Sequence, residues 1–156
     1  MISVLFVCLG NICRSPMAEA VFRHMVKEEG LEDRIRVDSA GTGDWHTGEP
    51  PHHGTRRILK QYGIAHEGIR ARKVKKQDLE DFDYIIAMDD SNLSHLRRLA
   101  DRNHQHLYRL TDFIPETTYT EVPDPYYTGN FEEVYELVSA GCRGLLERIK
   151  EEQGWK

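Results

Sequence analysis

Residues 3–7, Ser-Val-Leu-Phe-Val, form a short apolar run that ends directly on Cys8, and Ser15-Pro16 stands shortly beyond it at the head of an amphipathic stretch. So short a run without polar alternation marks a strand buried on both faces, as in parallel sheets covered by helices. Ser15 reads as a helix cap and Pro16 as the first helical residue. Ala18, Val21, Phe22, Met25 and Val26 then recur at helical spacing and line one face. A strand feeding a helix through a short loop is the opening half of a βαβ unit, which commits the chain to an α/β architecture.

The rest of the chain continues the alternation. Ile35 and Val37 predict a more exposed second strand ending at Asp38-Ser39. Thr55, Ile58, Leu59 and Tyr62 predict a helix that Gly63 stops. Tyr84 to Met88 reads as another buried strand, Leu93, Leu96 and Leu99 as the helix after it, and Leu107 to Leu110 as a weaker strand. Phe131, Val134, Tyr135, Val138, Cys142, Leu145 and Ile149 mark a long final helix. No linker or repeat interrupts this pattern, so residues 1–156 are expected to form one domain. Right-handed crossovers place the first strand inside and the second at an edge, giving a four-stranded parallel sheet in the order 2-1-3-4 with helices on both faces. Ligands in such sheets bind beyond the C-terminal strand ends where the strand order switches. Cys8 falls there, and the second strand carries Ser39 to the same rim.

The loop from Cys8 to Ser15 holds the chemistry. Leu9, Gly10, Asn11, Ile12 and Cys13 separate a cysteine from Arg14 at the start of a helix. A loop wrapped before a helix turns successive N–H groups inward, and the helix dipole adds to the resulting anion nest. Gly10 permits unusual backbone angles, and Asn11 tolerates a left-handed one. Arg14 offers a planar fork for two phosphate oxygens, which lysine does not. The same field favours the thiolate of Cys8, to which Ser15 can donate. A Walker-type loop is excluded because no Gly-Lys-Ser/Thr follows. An isolated Cys-x5-Arg is usually only a strand-end cysteine and a surface arginine; the flanking strand and helix make the difference here.

Thiolate attack on a phosphate ester expels an oxyanion that needs a proton. Asp124 lies between Pro123 and Pro125, which stiffen its loop without any secondary structure, and Tyr126 and Tyr127 offer walls for a planar ring. Taken alone the segment reads as a rigid turn.

The segments Val7 to Ala20 (VCLGNICRSPMAEA), Val37 to Thr42 (VDSAGT), Phe82 to Asp89 (FDYIIAMD) and Asp124 to Tyr127 (DPYY) resemble the low-molecular-weight protein tyrosine phosphatase family in its bacterial form. The resemblance spans the chain. It implies Cys8 as nucleophile, Arg14 as phosphate clamp and Asp124 as general acid and later base. It also implies Asn11, Ser15 and Ser39 as supports of the loop, with Trp45, Tyr126 and Tyr127 lining the substrate cleft. Ile12 stands where an arginine-phosphatase branch tends to carry threonine, which favours phosphotyrosine. One departure is visible: Ile69 occupies a slot where many eukaryotic members have a histidine that supports the loop.

Rival readings follow from the same residues. Arginine phosphatase activity is the nearest. Arsenate reduction needs a cysteine relay, for which Cys142 is badly placed. A non-catalytic phosphotyrosine-binding or redox-sensing module needs neither nucleophile nor acid. Cys13 is either a redox partner for Cys8 or a packing residue; Cys142 reads as core. His52-His53 and His104-x-His106 lack a companion ligand at metal spacing, so no metal or cofactor is expected. Arg70, Arg72, Lys73, Lys75 and Lys76 read as a solvated basic face, and Asp89-Asp90-Ser91 as a helix start near the cleft rim. The net charge of −5 gives no pull toward nucleic acid or membrane. The short apolar start lacks an export signal, and three cysteines without a scaffold pattern suit a reducing cytoplasm. The expected partners are tyrosine-phosphorylated proteins, bound by a monomer.

Overall fold

Strand β1 (Ile2–Cys8) runs through the interior of a parallel sheet and sends alternate side chains into two separate core layers. Val4 and Phe6 face one layer, where the Phe6 and Phe22 rings meet edge to face at 5.6 Å; Leu5 and Val7 face the other, beside Leu79, Leu93 and Leu96. The structure, a computed structural model, describes residues 1–100 and 106–155.

Strands β2 (Ile35–Gly41), β3 (Tyr84–Ala87) and β4 (Leu107–Arg109) complete the sheet in the order β2-β1-β3-β4, all parallel. This is the order expected from right-handed crossovers. The register places Cys8 beside Gly41 and Val7 beside Ala87, so three strands end together at one rim.

Helices α1 (Arg14–Glu28), α2 (His53–Gln61) and α6 (Phe131–Gln153) pack over the Val4–Phe6 face, with α6 roughly 35 Å long. The short α3 (Asp78–Asp81) and α4 (Asp90–Ala100) cover the Leu5–Val7 face, and α5 (Pro125–Thr128) lies just before α6. The α6 stripe Val134, Val138, Cys142, Leu145 and Ile149 is fully buried, each aliphatic contributing about 1.5–3 kcal/mol against exposure. Cys142 is thus a core residue, as its position in the stripe implied. Among the described residues no helix is long and apolar enough to cross a membrane.

Two local expectations need correction. Helix α1 begins at Arg14 rather than at Pro16, with Cys13 at the cap position and no side-chain capping bond. Ser15 does not cap it because its hydroxyl is turned toward Cys8 and Asn11 instead. Pro16 sits in the first turn, where its missing N–H has no helical partner to lose. Strand β2 runs on past Ser39 to Gly41, because Ala40 and Gly41 keep pairing with β1. Helix α2 stops where expected, with Tyr62 as an exposed C-cap stacked on Tyr135 at 4.0 Å and Gly63 following at φ 69°.

Candidate active site

The loop after β1 is held from outside by its carbonyls. Cys8 O and Leu9 O accept from Thr42 and Gly43 N–H at 2.9 Å, Ile12 O from His52 N–H at 2.7 Å, and Cys13 O from the Thr55 hydroxyl at 3.1 Å. Since C=O and the following N–H point oppositely across a trans peptide, tying Leu9 O and Ile12 O outward turns the N–H groups of Gly10 and Cys13 the other way. None of the N–H groups of residues 10–13 donates to a protein acceptor among the described residues. Asn11 takes φ 57°, the left-handed conformation its side chain tolerates. Gly10 needs no such angle; a Cβ there would meet the His46 ring at 3.1 Å, so its smallness serves close packing.

Gly41 has a sharper constraint. A Cβ on it would stand 2.9 Å from Leu9 O and 3.1 Å from Asn11 N, pressing the loop from below. Gly41→Ala is expected to cost about 1–3 kcal/mol of stability and to weaken inhibition by inorganic phosphate severalfold. Thermal unfolding and phosphate inhibition constants measure the two effects; an unchanged phosphate affinity would refute the coupling.

The Asn11 amide fixes the loop from within. Its Nδ2 donates to Ser15 Oγ at 2.7 Å and to Ser39 Oγ at 3.0 Å, while its Oδ1 accepts from Arg72 N–H at 3.0 Å. That backbone donor fills the role left open by Ile69, whose side chain is simply buried in the core. The Ser39 hydroxyl in turn donates to Glu19 Oε1 at 2.5 Å, and Glu19 Oε2 accepts from Arg23. Burial pushes the Glu19 carboxyl up, against the opposing pull of Ser39 and Arg23.

Cys8 Sγ lies 3.0 Å from Ser15 Oγ and 3.5 Å from Ser15 N. Arg14 is 2 % exposed and clamped on one side only. Its Nη1 donates to Asp89 Oδ2 at 2.8 Å and Val122 O at 2.9 Å, and its Nη2 reaches Asp124 Oδ2 at 3.4 Å. Burial alone would weaken its charge, but Cys8, Asp89 and Asp124 outweigh burial and hold its pKa above the ordinary value. The buried Nε has no hydrogen-bond partner among the described residues.

Asp124 owes its position to the end of β3. Val122 N–H donates to Met88 O at 2.8 Å, which fastens the loop there. Asp124 then caps α5, accepting Tyr126 N–H on Oδ1 at 3.1 Å with Pro125 at the start of the helix. The acid is therefore held by a helical turn, contrary to the expectation of a stiff loop without secondary structure. Cys8, Leu9, Gly10, Ile12, Cys13 and Arg14 form the floor of a pocket of about 230 Å³, and Trp45, His46, Asp124, Tyr126 and Tyr127 form its rim. The three aromatic walls are exposed, as an entrance requires.

A family model described as low molecular weight phosphotyrosine protein phosphatase matches residues 3–154. The chain belongs to this family. It is 57% identical over 154 residues to the low molecular weight protein-tyrosine-phosphatase YfkJ of Bacillus subtilis, covering 98% of this chain and 99% of the relative. The crystal structure of YfkJ superposes with a TM-score of 0.96 over 97% of this chain and 96% of that one. PtpA of Staphylococcus epidermidis, also named a low molecular weight protein-tyrosine-phosphatase, is 47% identical across 100% of this chain and 99% of its own. The crystal structure of a Drosophila arginine phosphatase is 37% identical, with a TM-score of 0.86 over 94% of this chain and 97% of that one.

In this phosphatase the structure gathers the residues expected to form the site. Cys8, Arg14, Asp124, Trp45, Tyr126 and Tyr127 meet in one pocket, with Asn11, Ser15 and Ser39 bonded behind it. Asp89 has a larger part than a helix start: Oδ1 caps α4 at Asn92 N–H, 2.8 Å away, while Oδ2 grips Arg14. Glu19, His46 and Gly41 carried no sequence signal of their own. Arg72 is not part of a solvated face, since it bridges Asp38 and Asp78. His52 is engaged in capping, its Nδ1 accepting Gly54 N–H; His104 lies outside the described residues.

Proposed function

We propose that the protein hydrolyses phosphotyrosine in protein substrates through a cysteinyl-phosphate formed on Cys8. The observation that carries this reading is the lone Arg14 Nε, a buried donor facing no protein acceptor while Asp89, Val122 and Asp124 immobilise the rest of the guanidinium. An unfilled buried donor costs about 1–3 kcal/mol, and a phosphate oxygen on Nε would satisfy it. The inward N–H groups of residues 10–13 fit the remaining oxygens.

In the first step the Cys8 thiolate attacks phosphorus in line, and the bond to the tyrosyl oxygen breaks as Asp124 delivers its proton to that oxygen. In the second, ionised Asp124 takes a proton from water, which attacks phosphorus and returns the electron pair to Cys8. Ser15 donates to the departing thiolate, and Arg14 with the loop stabilises charge on the three equatorial oxygens in both steps. Those donors do the work a metal ion would otherwise do, so turnover is expected to resist chelators. Cys13 is pushed up to about 12 by burial first and then by Cys8 and Asp124, with Arg14 opposing. A thiol so reluctant to ionise attacks an oxidised Cys8 slowly, which supports packing under the loop as its main role.

Family membership alone leaves phosphotyrosine and phosphoarginine open. Ile12 is buried in the pocket wall and offers a guanidinium no hydrogen-bond partner, whereas a phenyl ring between Trp45, Tyr126 and Tyr127 needs none. All site residues come from one chain, which supports a monomer as the acting species. The three free, buried cysteines suit a reducing cytoplasm. Peptides carrying phosphotyrosine, phosphoarginine or phosphoserine at one position test the reading. Phosphotyrosine is expected to exceed both in kcat/KM by about tenfold or more; equal or better turnover of phosphoarginine would overturn it.

A further inference from the structure

A second cleft of about 340 Å³ adjoins the phosphate pocket and shares Ile12, His46 and Tyr126 with it. Its character differs from that of the first. Arg56, exposed on α2, lines it and makes no ion pair among the described residues. His53 stands beside it, stacked on His52 at 4.3 Å with its ring otherwise open to solvent. Glu49 is the wall's carboxylate, and His46 Nδ1 already engages it at 3.1 Å. His52 is held below its ordinary pKa by burial first, then by His53, Arg56 and His46, so these side chains act on a common space. This collection stands out on a chain whose net charge is −5.

We propose that the second cleft binds a carboxylate side chain of the substrate, an aspartate or glutamate near the phosphotyrosine, through Arg56 and His53. The inference rests on the phosphotyrosine reading of the first pocket. Because the two clefts share walls, the bound residue lies within about three positions of the phosphotyrosine, an extended reach of roughly 10 Å. Arg56 offers a fork of donors matched to a carboxylate, and His53 adds an imidazole N–H. Substrates that are acidic around the phosphotyrosine are thereby selected, although the chain as a whole repels them.

Phosphotyrosine peptides with Glu at each of the three positions on either side, and their Gln counterparts, test this against the wild type, Arg56→Gln, Arg56→Glu and His53→Ala. The wild type is expected to favour Glu at one or more positions by about two- to fivefold in kcat/KM, the scale of an exposed charge pair. Arg56→Gln is expected to erase that preference, Arg56→Glu to reverse it, and His53→Ala to reduce it. Raising ionic strength from about 0.05 to 0.5 M is expected to shrink the preference in the wild type and the reversed one in Arg56→Glu, and to leave Arg56→Gln unchanged. A small aryl phosphate, too short to reach the cleft, is expected to turn over equally in all four proteins. No Glu preference in the wild type, or a preference that survives Arg56→Gln, overturns the second cleft while leaving the first intact. Failure of the wild type to hydrolyse the small ester overturns the phosphatase reading itself.

Discussion

Cys8→Ser is expected to lower kcat on aryl phosphates by on the order of 10⁴-fold or more, while phosphate affinity changes by about threefold or less. The first number follows from chemistry. A serine hydroxyl in this position has no general base, since Ser15 Oγ, 3.0 Å from Sγ, is itself bonded by Asn11. Losing an activated nucleophile causes losses of that order in enzymes where attack is covalent. The second number follows from architecture. In the proposed scheme phosphate is held by Arg14 and the inward N–H groups, and neither depends on Sγ. Steady-state kinetics and calorimetric phosphate binding test the two halves. Near-normal turnover would eliminate Cys8 as nucleophile. Loss of both turnover and phosphate binding would mean that the thiolate also shapes the loop.

The sheet order was legible because the elements that define it are strongly patterned. The run Ser3 to Val7 and the apolar segment from Tyr84 differ from every helical stretch in length and period, and right-handed crossovers leave little choice thereafter. The pocket floor was legible for a related reason: Cys8, Arg14 and the helix start are contiguous, so one loop encodes their geometry. What escaped is non-local. Asp89 reads as a cap because one of its oxygens is a cap; that the other grips Arg14 depends on β1 and β3 ending side by side. Glu19 lies on the α1 stripe next to apolar residues and only acquires meaning when β2 carries Ser39 against it. Gly41 looks like any strand-end glycine until the loop packs 2.9 Å from its missing Cβ. Ser15 misled in the opposite direction, since Ser-Pro is a strong helix opening and only a competing bond to Cys8 and Asn11 moves the cap to Cys13.

Asp124→Asn separates acid chemistry from structure, because asparagine preserves the features an alanine would remove. Its side-chain oxygen can still accept Tyr126 N–H and cap α5, a loss worth about 1 kcal/mol in the alanine variant. What asparagine lacks is a transferable proton in the first step and a basic site in the second. For phosphotyrosine, whose phenoxide has a conjugate acid of pKa about 10, the first step suffers directly, and kcat is expected to fall by about 10²- to 10⁴-fold. An ester whose leaving group is already stable as an anion escapes the first penalty but not the second. With that ester, Cys8 is expected to phosphorylate quickly and hydrolyse slowly, so rapid-mixing experiments should show a burst of released phenol approaching one equivalent, followed by slow turnover. The covalent adduct should be trapped on Cys8 and be detectable by mass. Equal losses on both esters with no burst would assign Asp124 a positioning role on Arg14, which its 3.4 Å contact also permits, and would require a different proton donor among the pocket residues.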